Sequence, residues 1–307
     1  MEDQDKKEMI DIIRQALKPD NEFMLANQPF QSGEEKAESE RFILKPNESK
    51  QVDKQLESFK TDTFLDDLFL NSKEESIGGL PHSGSFGILG MPDAGKSILM
   101  EEIAVKVSAS GRKVLFITSE DIWRSETLRF DLESRMKQKA DILGLEWSKV
   151  QENLFVMDTV TYSELNEWFK FVETYRYACK TYGIELVIVD SVTVLQNYRG
   201  ALKYRLMELI KYGQLHGITG LFVNQRSKAE WDSYDIAGGI GLAHNLDGTI
   251  IIDFGRTYHT QINEDLGTKR GVDVRIVRVL GCRICGFNRH YQKVEIDSDG
   301  FLKLVET

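Results

Sequence analysis

The sequence predicts an α/β fold, with a mainly parallel sheet flanked by helices and closed at its C-terminal end by antiparallel strands. Three observations carry this expectation. From about Phe59 onward, short apolar runs alternate with helical patterns, as buried parallel strands and their crossover helices do. One run, FGILG (86–90), passes through a glycine-bounded turn into the helical pattern SILMEEIAVKV. Beyond residue 270 the pattern changes to VDVRIVRVL, then RHYQKVEID and FLKLVE joined by SDG, as neighbouring antiparallel strands are written.

In chain order, residues 1–58 stand apart. Met9, Ile10, Ile13 and Leu17 recur at helical spacing until Pro19 ends the pattern, predicting a short amphipathic helix that docks on the core or on a protein partner. Residues 31–57 are mostly charged and polar, with only the FIL cluster at 42–44 to bury, and read as a solvated acidic linker. Residues 59–307 then form one domain. Its clearest strands are FGILG (86–90), VLFIT (114–118), NLFVMD (153–158), ELVIVD (185–190), GLFVNQ (220–225) and TIIID (249–253). Between them, SILMEEIAVKV and RLMELIKYG (205–213) read as helices, and the stripe Trp168, Phe169 and Val172 reads as core.

Composition narrows the function classes. In 307 residues, 41% are hydrophobic and 29% charged, an ordinary globular balance. No apolar run approaches the ~20 residues that span a bilayer, and the acidic start MEDQDKKEM lacks the pattern of a secretion signal. A cytoplasmic protein is expected. The net charge of −10 provides no global basic field for nucleic acid or anionic lipid. Cys179, Cys282 and Cys285 are too few for a disulfide framework and read as thiols. Cys282 and Cys285 with His290 nearby supply three zinc ligands at most and leave a fourth unassigned, so plain thiols at a strand end are preferred to a metal site.

The chemistry centres on ILGMPDAGKSI. Gly90, four residues, then Gly95, Lys96 and Ser97 have the spacing of a phosphate-binding loop. With a strand before it and a helix after it, the stretch Gly90, Met91, Pro92, Asp93, Ala94, Gly95, Lys96 and Ser97 aims backbone N–H groups and a helix N-terminus at phosphate oxygens. Lys96 is placed to reach the β- and γ-phosphates, and the Ser97 hydroxyl to ligate Mg2+. A plain glycine turn explains neither the lysine nor the serine.

Magnesium calls for a further carboxylate. ELVIVD ends four apolar residues in Asp190, an acid that is costly at a buried strand end unless it faces a cation or donors. VLFITSED ends in Glu120-Asp121, and a strand beside the phosphate loop brings Glu120 to the same sheet edge as a base for water. Asp121 reads as a surface cap. VNQ adds Asn224 and Gln225, the latter placed to sense the γ-phosphate.

The motif order LDDL (65–68), GGLPHSGSFGILGMPDAGKS (78–97), VLFITSED, ELVIVDSV, LFVNQ and AGGIGLAHNLDGTIIID (237–253) resembles the RecA/RadA/KaiC class of P-loop ATPases over about 59–307. The resemblance implies a RecA-like core, ATP and Mg2+ as ligands, and a homo-oligomer, either a hexameric ring or a filament. It also implies that Glu120 is the catalytic base and that Gly238, Gly239, His244 and Asp247 form a typical class element. By the same resemblance, VLGCRICG is the strand whose cation reaches the neighbouring subunit's γ-phosphate. Gly281 replaces the usual lysine there, leaving Arg283 as the cation. The pair Glu120-Asp121 departs from the two glutamates usual in KaiC proteins, VNQR resembles the recombinase form, and the C-terminal strands resemble the KaiC form.

Three functions stay open on these residues. The first is an ATP-hydrolysing oligomeric switch or motor. The second is a RadA-like recombinase paralogue whose loop 226–242 touches single-stranded DNA. That loop offers Arg226, Lys228, Trp231 and Tyr234, but also Glu230, Asp232 and Asp235, a poor balance for phosphate contacts. The third is a KaiC-like autokinase or signalling scaffold.

Overall fold

A computed structural model describes residues 55–192, 195, 202–225, 245–256, 264–267 and 271–305. The helix expected over 9–17, the linker over 31–57 except its last three residues, loop 226–242 with Gly238 and Gly239, and His244 lie outside the described residues.

The strands are β1 (Ser58–Phe59), β2 (Phe69–Leu70), β3 (Leu80–Pro81), β4 (Ser85–Gly90), β5 (Val114–Thr118), β6 (Leu154–Asp158), β7 (Leu186–Asp190), β8 (Thr219–Gln225), β9 (Gly248–Arg256), β10 (Asp273–Cys282), β11 (Gly286–Phe287), β12 (Gln292–Ile296) and β13 (Leu302–Leu304). The helices are α1 (Lys96–Ala109), α2 (Leu132–Ile142), α3 (Trp147–Asn153), α4 (Trp168–Tyr182) and α5 (Leu202–Leu215). Nine strands form the main sheet in the order β13-β12-β10-β9-β4-β8-β7-β5-β6. From β9 to β6 all neighbours are parallel, while β10, β12 and β13 continue antiparallel, as the change of pattern beyond 270 predicts. No described helix is long and apolar enough to cross a membrane.

Strand alternation splits the core into two layers. Phe86, Ile88, Phe116, Ile188 and Val223 face α1, α2 and α3, which supply Leu99, Ile103, Met136 and Val150. Leu115, Ile117, Val187, Val189 and Phe222 face α4 and α5, which supply Phe171, Tyr175, Leu206 and Leu209. Burying each such side chain contributes about 1.5–3 kcal/mol, and the central parallel strands, apolar on both faces, are fixed in register by it.

One expected core residue is displaced. Phe169 is 81% exposed, and the buried face of α4 is Phe171, Val172, Tyr175, Ala178 and Cys179. At ~100° per residue, Phe169 points roughly 120° from the middle of that face. Trp168 does lie on it, stacked on Phe171 with ring centroids 5.4 Å apart.

Candidate active site

Register sets the location. Gly90 of β4 pairs with Gln225 of β8, Val189 of β7 with Phe222, and Thr118 of β5 with Asp190. The carboxyl ends of four neighbouring parallel strands therefore share one sheet edge, where ligands of open α/β sheets bind. The chain leaves β4 there and returns as β5 beyond β8 and β7, which opens the crevice.

The loop between β4 and α1 depends on its glycines. A Cβ on Gly90 would stand 1.7 Å from the Ile252 carbonyl oxygen of β9, so only glycine lets the strands pair. Gly95, at φ 99°, caps α1 in a left-handed conformation with no side-chain hydrogen bond, leaving the first-turn N–H groups free for an anion. Neighbouring strands hold the loop between them. Asp253 of β9 accepts from Met91 N–H at 3.2 Å, and Arg275 of β10 donates to the Asp93 carbonyl at 3.3 Å.

Lys96 and Ser97 open α1. Lys96 is only 6% exposed, and its Nζ donates to the carbonyls of Gly90 at 3.0 Å and Met91 at 2.6 Å. Burial lowers its pKa, opposed by Asp190, Asp253, Glu120 and Asp93. Asp190, 8% exposed, is pushed up to about 7, first by burial and then by the charges of Glu120, Glu101 and Asp121, against a hydrogen bond from Ser97. A hydroxyl beside a crowded carboxyl is a hard oxygen donor set, and it fits Mg2+, whose charge would hold that carboxyl ionised.

Glu120 lies just past β5, exposed. Its Oε1 accepts from the Ser191 hydroxyl at 2.7 Å and is approached by Gln225 Nε2 at 3.5 Å. Lys96, Ser97, Glu120, Asp190 and Gln225 all line one cavity of about 460 Å³. Its wall extends past the loop to Ile296 of β12, on the opposite flank of β4 from β7.

Arg283 lies elsewhere. Cys282 pairs with Gly248, and Gly248 with Phe86, so the turn after β10 sits at the amino end of β4. There the Arg283 N–H donates to the Asp247 carbonyl at 2.7 Å. The whole length of β4 separates it from its own phosphate loop. Asp247, the described member of the expected class element, accepts from Ser85 N–H at 2.9 Å and from Gln214 at 2.8 Å, a structural cap. The sulfurs of Cys282 and Cys285 are 3.9 Å apart, His290 pairs with Asp265 at 3.0 Å, and among the described residues no three His, Cys, Asp or Glu side chains converge as for a metal.

Sequence reading missed Ser191, Asp253, Arg275 and Ile296. Asp253 carried a usable signal, since TIIID ends an apolar run in an acid just as ELVIVD does. Ser191 follows Asp190 directly. Arg275 and Ile296 reach the site only through the sheet order.

Similar sequences and a similar fold occur among known proteins. The family model described as "ATPase: KaiC" matches residues 60–305. A UPF0273 protein of Pyrococcus furiosus is 26% identical over 188 residues, which is 57% of this chain and 72% of that protein. The DNA repair and recombination protein RadB of Methanobrevibacter smithii is 24% identical over 213 residues, 66% of this chain and 83% of that one. The crystal structure of a KaiC-like protein from Pyrococcus horikoshii superposes with a TM-score of 0.59 at 15% identity, covering 82% of this chain and 100% of that chain. At that identity the likeness is one of fold.

Proposed function

The chain belongs to the KaiC family of ATPases, and from that premise we propose that it is a Mg2+-dependent ATP phosphohydrolase acting as a homo-oligomeric, nucleotide-driven switch or motor in the cytoplasm. One observation carries the reading. A lysine, a hydroxyl, a strand-end acid and an exposed carboxylate, drawn from α1, β7 and the end of β5, line a single cavity. In this reading the triphosphate lies over the Gly90–Ser97 loop, its γ-phosphate toward Glu120 and its nucleoside toward Ile296. Lys96 exchanges the carbonyls of Gly90 and Met91 for phosphate oxygens. Ser97 and Asp190 would hold magnesium, which would supply positive charge against the phosphates. Glu120 takes the proton of the attacking water, with its carboxylate oriented by Ser191 and Gln225.

A site completed in trans suits the position of Arg283, whose guanidinium is too far from its own phosphate loop to serve it. In a ring or filament that arginine meets a neighbour's γ-phosphate, and the N-terminal part, 1–58, is left to contact partners while 59–307 carries the chemistry. The RadB relative favours single-stranded DNA as the alternative effector. Phosphate release from ATP is the test, measured with Mg2+ or EDTA and with or without single-stranded DNA. Mg2+-dependent turnover indifferent to DNA supports the proposal, DNA stimulation favours the recombinase reading, and no turnover under any condition overturns hydrolysis.

A further inference from the structure

Behind the cavity, α1, α2 and the segment after β5 meet at one guanidinium. Glu101 lies on α1 one helical turn beyond Ser97 and is 4% exposed. Arg135 of α2 donates through Nε and Nη2 to Glu101 Oε1 at 3.1 and 2.9 Å. Through Nη1 and Nη2 it also donates to the two carboxylate oxygens of Asp121 at 3.3 and 2.6 Å. Asp121 is the chain neighbour of Glu120, and its backbone is closed onto β5. Its carbonyl accepts from the Thr118 hydroxyl at 2.7 Å, and its N–H donates to the same oxygen at 3.3 Å. Lys139, one turn beyond Arg135, stands 3.9 Å from Glu101 and donates to the Gly300 carbonyl at 3.0 Å.

We propose that Arg135 is a positioning residue for turnover: by tying Asp121 to Glu101 it holds the adjoining Glu120 in register with the helix that presents Lys96 and Ser97. The inference rests on the reading of Glu120 as the base. Glu120 is exposed and lies outside the β5 ladder; the Ser191 hydroxyl steadies its carboxylate, and the contacts of its chain neighbour Asp121 bear on where its backbone stands. Two carboxylates approach from different elements, and like charges repel. A planar guanidinium can donate to both at once, whereas an ammonium offers one compact charge and no fork. Without Arg135, the buried Glu101 keeps, among the described residues, the ion pair with Lys139 at 3.9 Å. Asp121 then gains by turning to water, and it carries Glu120 with it.

The variants Arg135→Met and Arg135→Lys are compared with wild type and Glu120→Gln. A second form, Arg135→Met with Glu101→Gln, removes the buried charge of Glu101 together with its partner, so that a fold lost to an uncompensated Glu101 does not mask the result. Steady-state ATPase is read together with amide hydrogen exchange over residues 119–124. Arg135→Met is expected to lower kcat by about 10- to 100-fold, the scale of a misplacement near 1 Å, with KM for ATP within about twofold. Exchange over 119–124 should quicken while 186–190 stays protected, and Arg135→Lys should recover part of kcat. Unchanged kcat, or loss of kcat with loss of protection throughout the sheet in the double variant as well as in Arg135→Met, overturns the proposal. If wild type and Glu120→Gln turn over alike, the base is misassigned, and unchanged exchange over 119–124 in Arg135→Met then overturns the positioning role on its own.

Discussion

The Ser191 hydroxyl donates to Glu120 Oε1 at 2.7 Å, joining the residue after Asp190 to the proposed base. Ser191 is 1% exposed and Glu120 is exposed, so a fixed hydroxyl grips a group that solvent would otherwise let rotate. A hydrogen bond to a charged group contributes about 1.5–3 kcal/mol. Ser191→Ala should therefore lower kcat by at least about tenfold and leave KM nearly unchanged. A KM effect without a kcat effect would assign Ser191 to nucleotide binding instead.

Glu120→Gln removes the proposed proton acceptor while keeping the shape. Turnover should fall by about 10²- to 10⁴-fold, the usual worth of a general base, while a fluorescent ATP analogue binds as tightly as before. Equal loss of binding and turnover would make Glu120 part of the cradle.

Lys96→Ala separates phosphate binding from folding. Nζ is bonded to two loop carbonyls and the side chain is buried at the start of α1. ATP affinity should fall by more than about 100-fold, since in the proposed complex the lysine compensates phosphate charge. The circular dichroism spectrum should match wild type. Hydrolysis at the wild-type rate would remove the site from this loop.

Asp190 provides a pH signature. Its carboxyl titrates near 7 in the fold, against a reference of 3.8. Between these values the folded chain holds a proton that the unfolded chain has released, so stability falls as pH rises. The penalty is absent below the reference value and complete above about 7. In EDTA, the melting temperature of wild type relative to Asp190→Asn should decline from pH 5 to pH 8. A flat difference would mean that the carboxyl ionises freely.

The strands that build the site were legible because parallel strands buried on both faces leave unbroken apolar runs. Asp190, Glu120 and Gln225 end such runs, so strand order alone brings them together. Residues that act across the sequence were not legible. Arg135 lies in LESRMKQKADI, where only Leu132, Met136 and Ala140 mark the buried apolar side, and nothing in that stretch announces a partner at Asp121. Asp121 was expected to be a surface cap, and it is the far end of an ion pair 2.6 Å from Arg135. Phe169 misled because four aromatic or apolar residues in five positions, 168–172, look like one stripe until the helix phase is set by Phe171 and Tyr175.

The last prediction concerns Arg283, whose position makes it useless to its own site. It stands beside Asp247 and the amino end of β4, whereas the phosphate loop begins at the carboxyl end of that strand. A guanidinium stays charged and offers several donors to developing phosphate charge, and from this position the site within its reach is a neighbour's. Arg283→Ala and Glu120→Gln chains should each be nearly inactive alone. Mixed under conditions of subunit exchange, some interfaces pair an intact Glu120 on one side with an intact Arg283 on the other. With equal amounts and random assembly about one interface in four is whole, and ATPase should return to that fraction of wild type or less. Native mass spectrometry of isotope-labelled chains verifies exchange. A mixture that exchanges and stays inactive, or an Arg283→Ala chain that is fully active by itself, would leave each site complete within one chain.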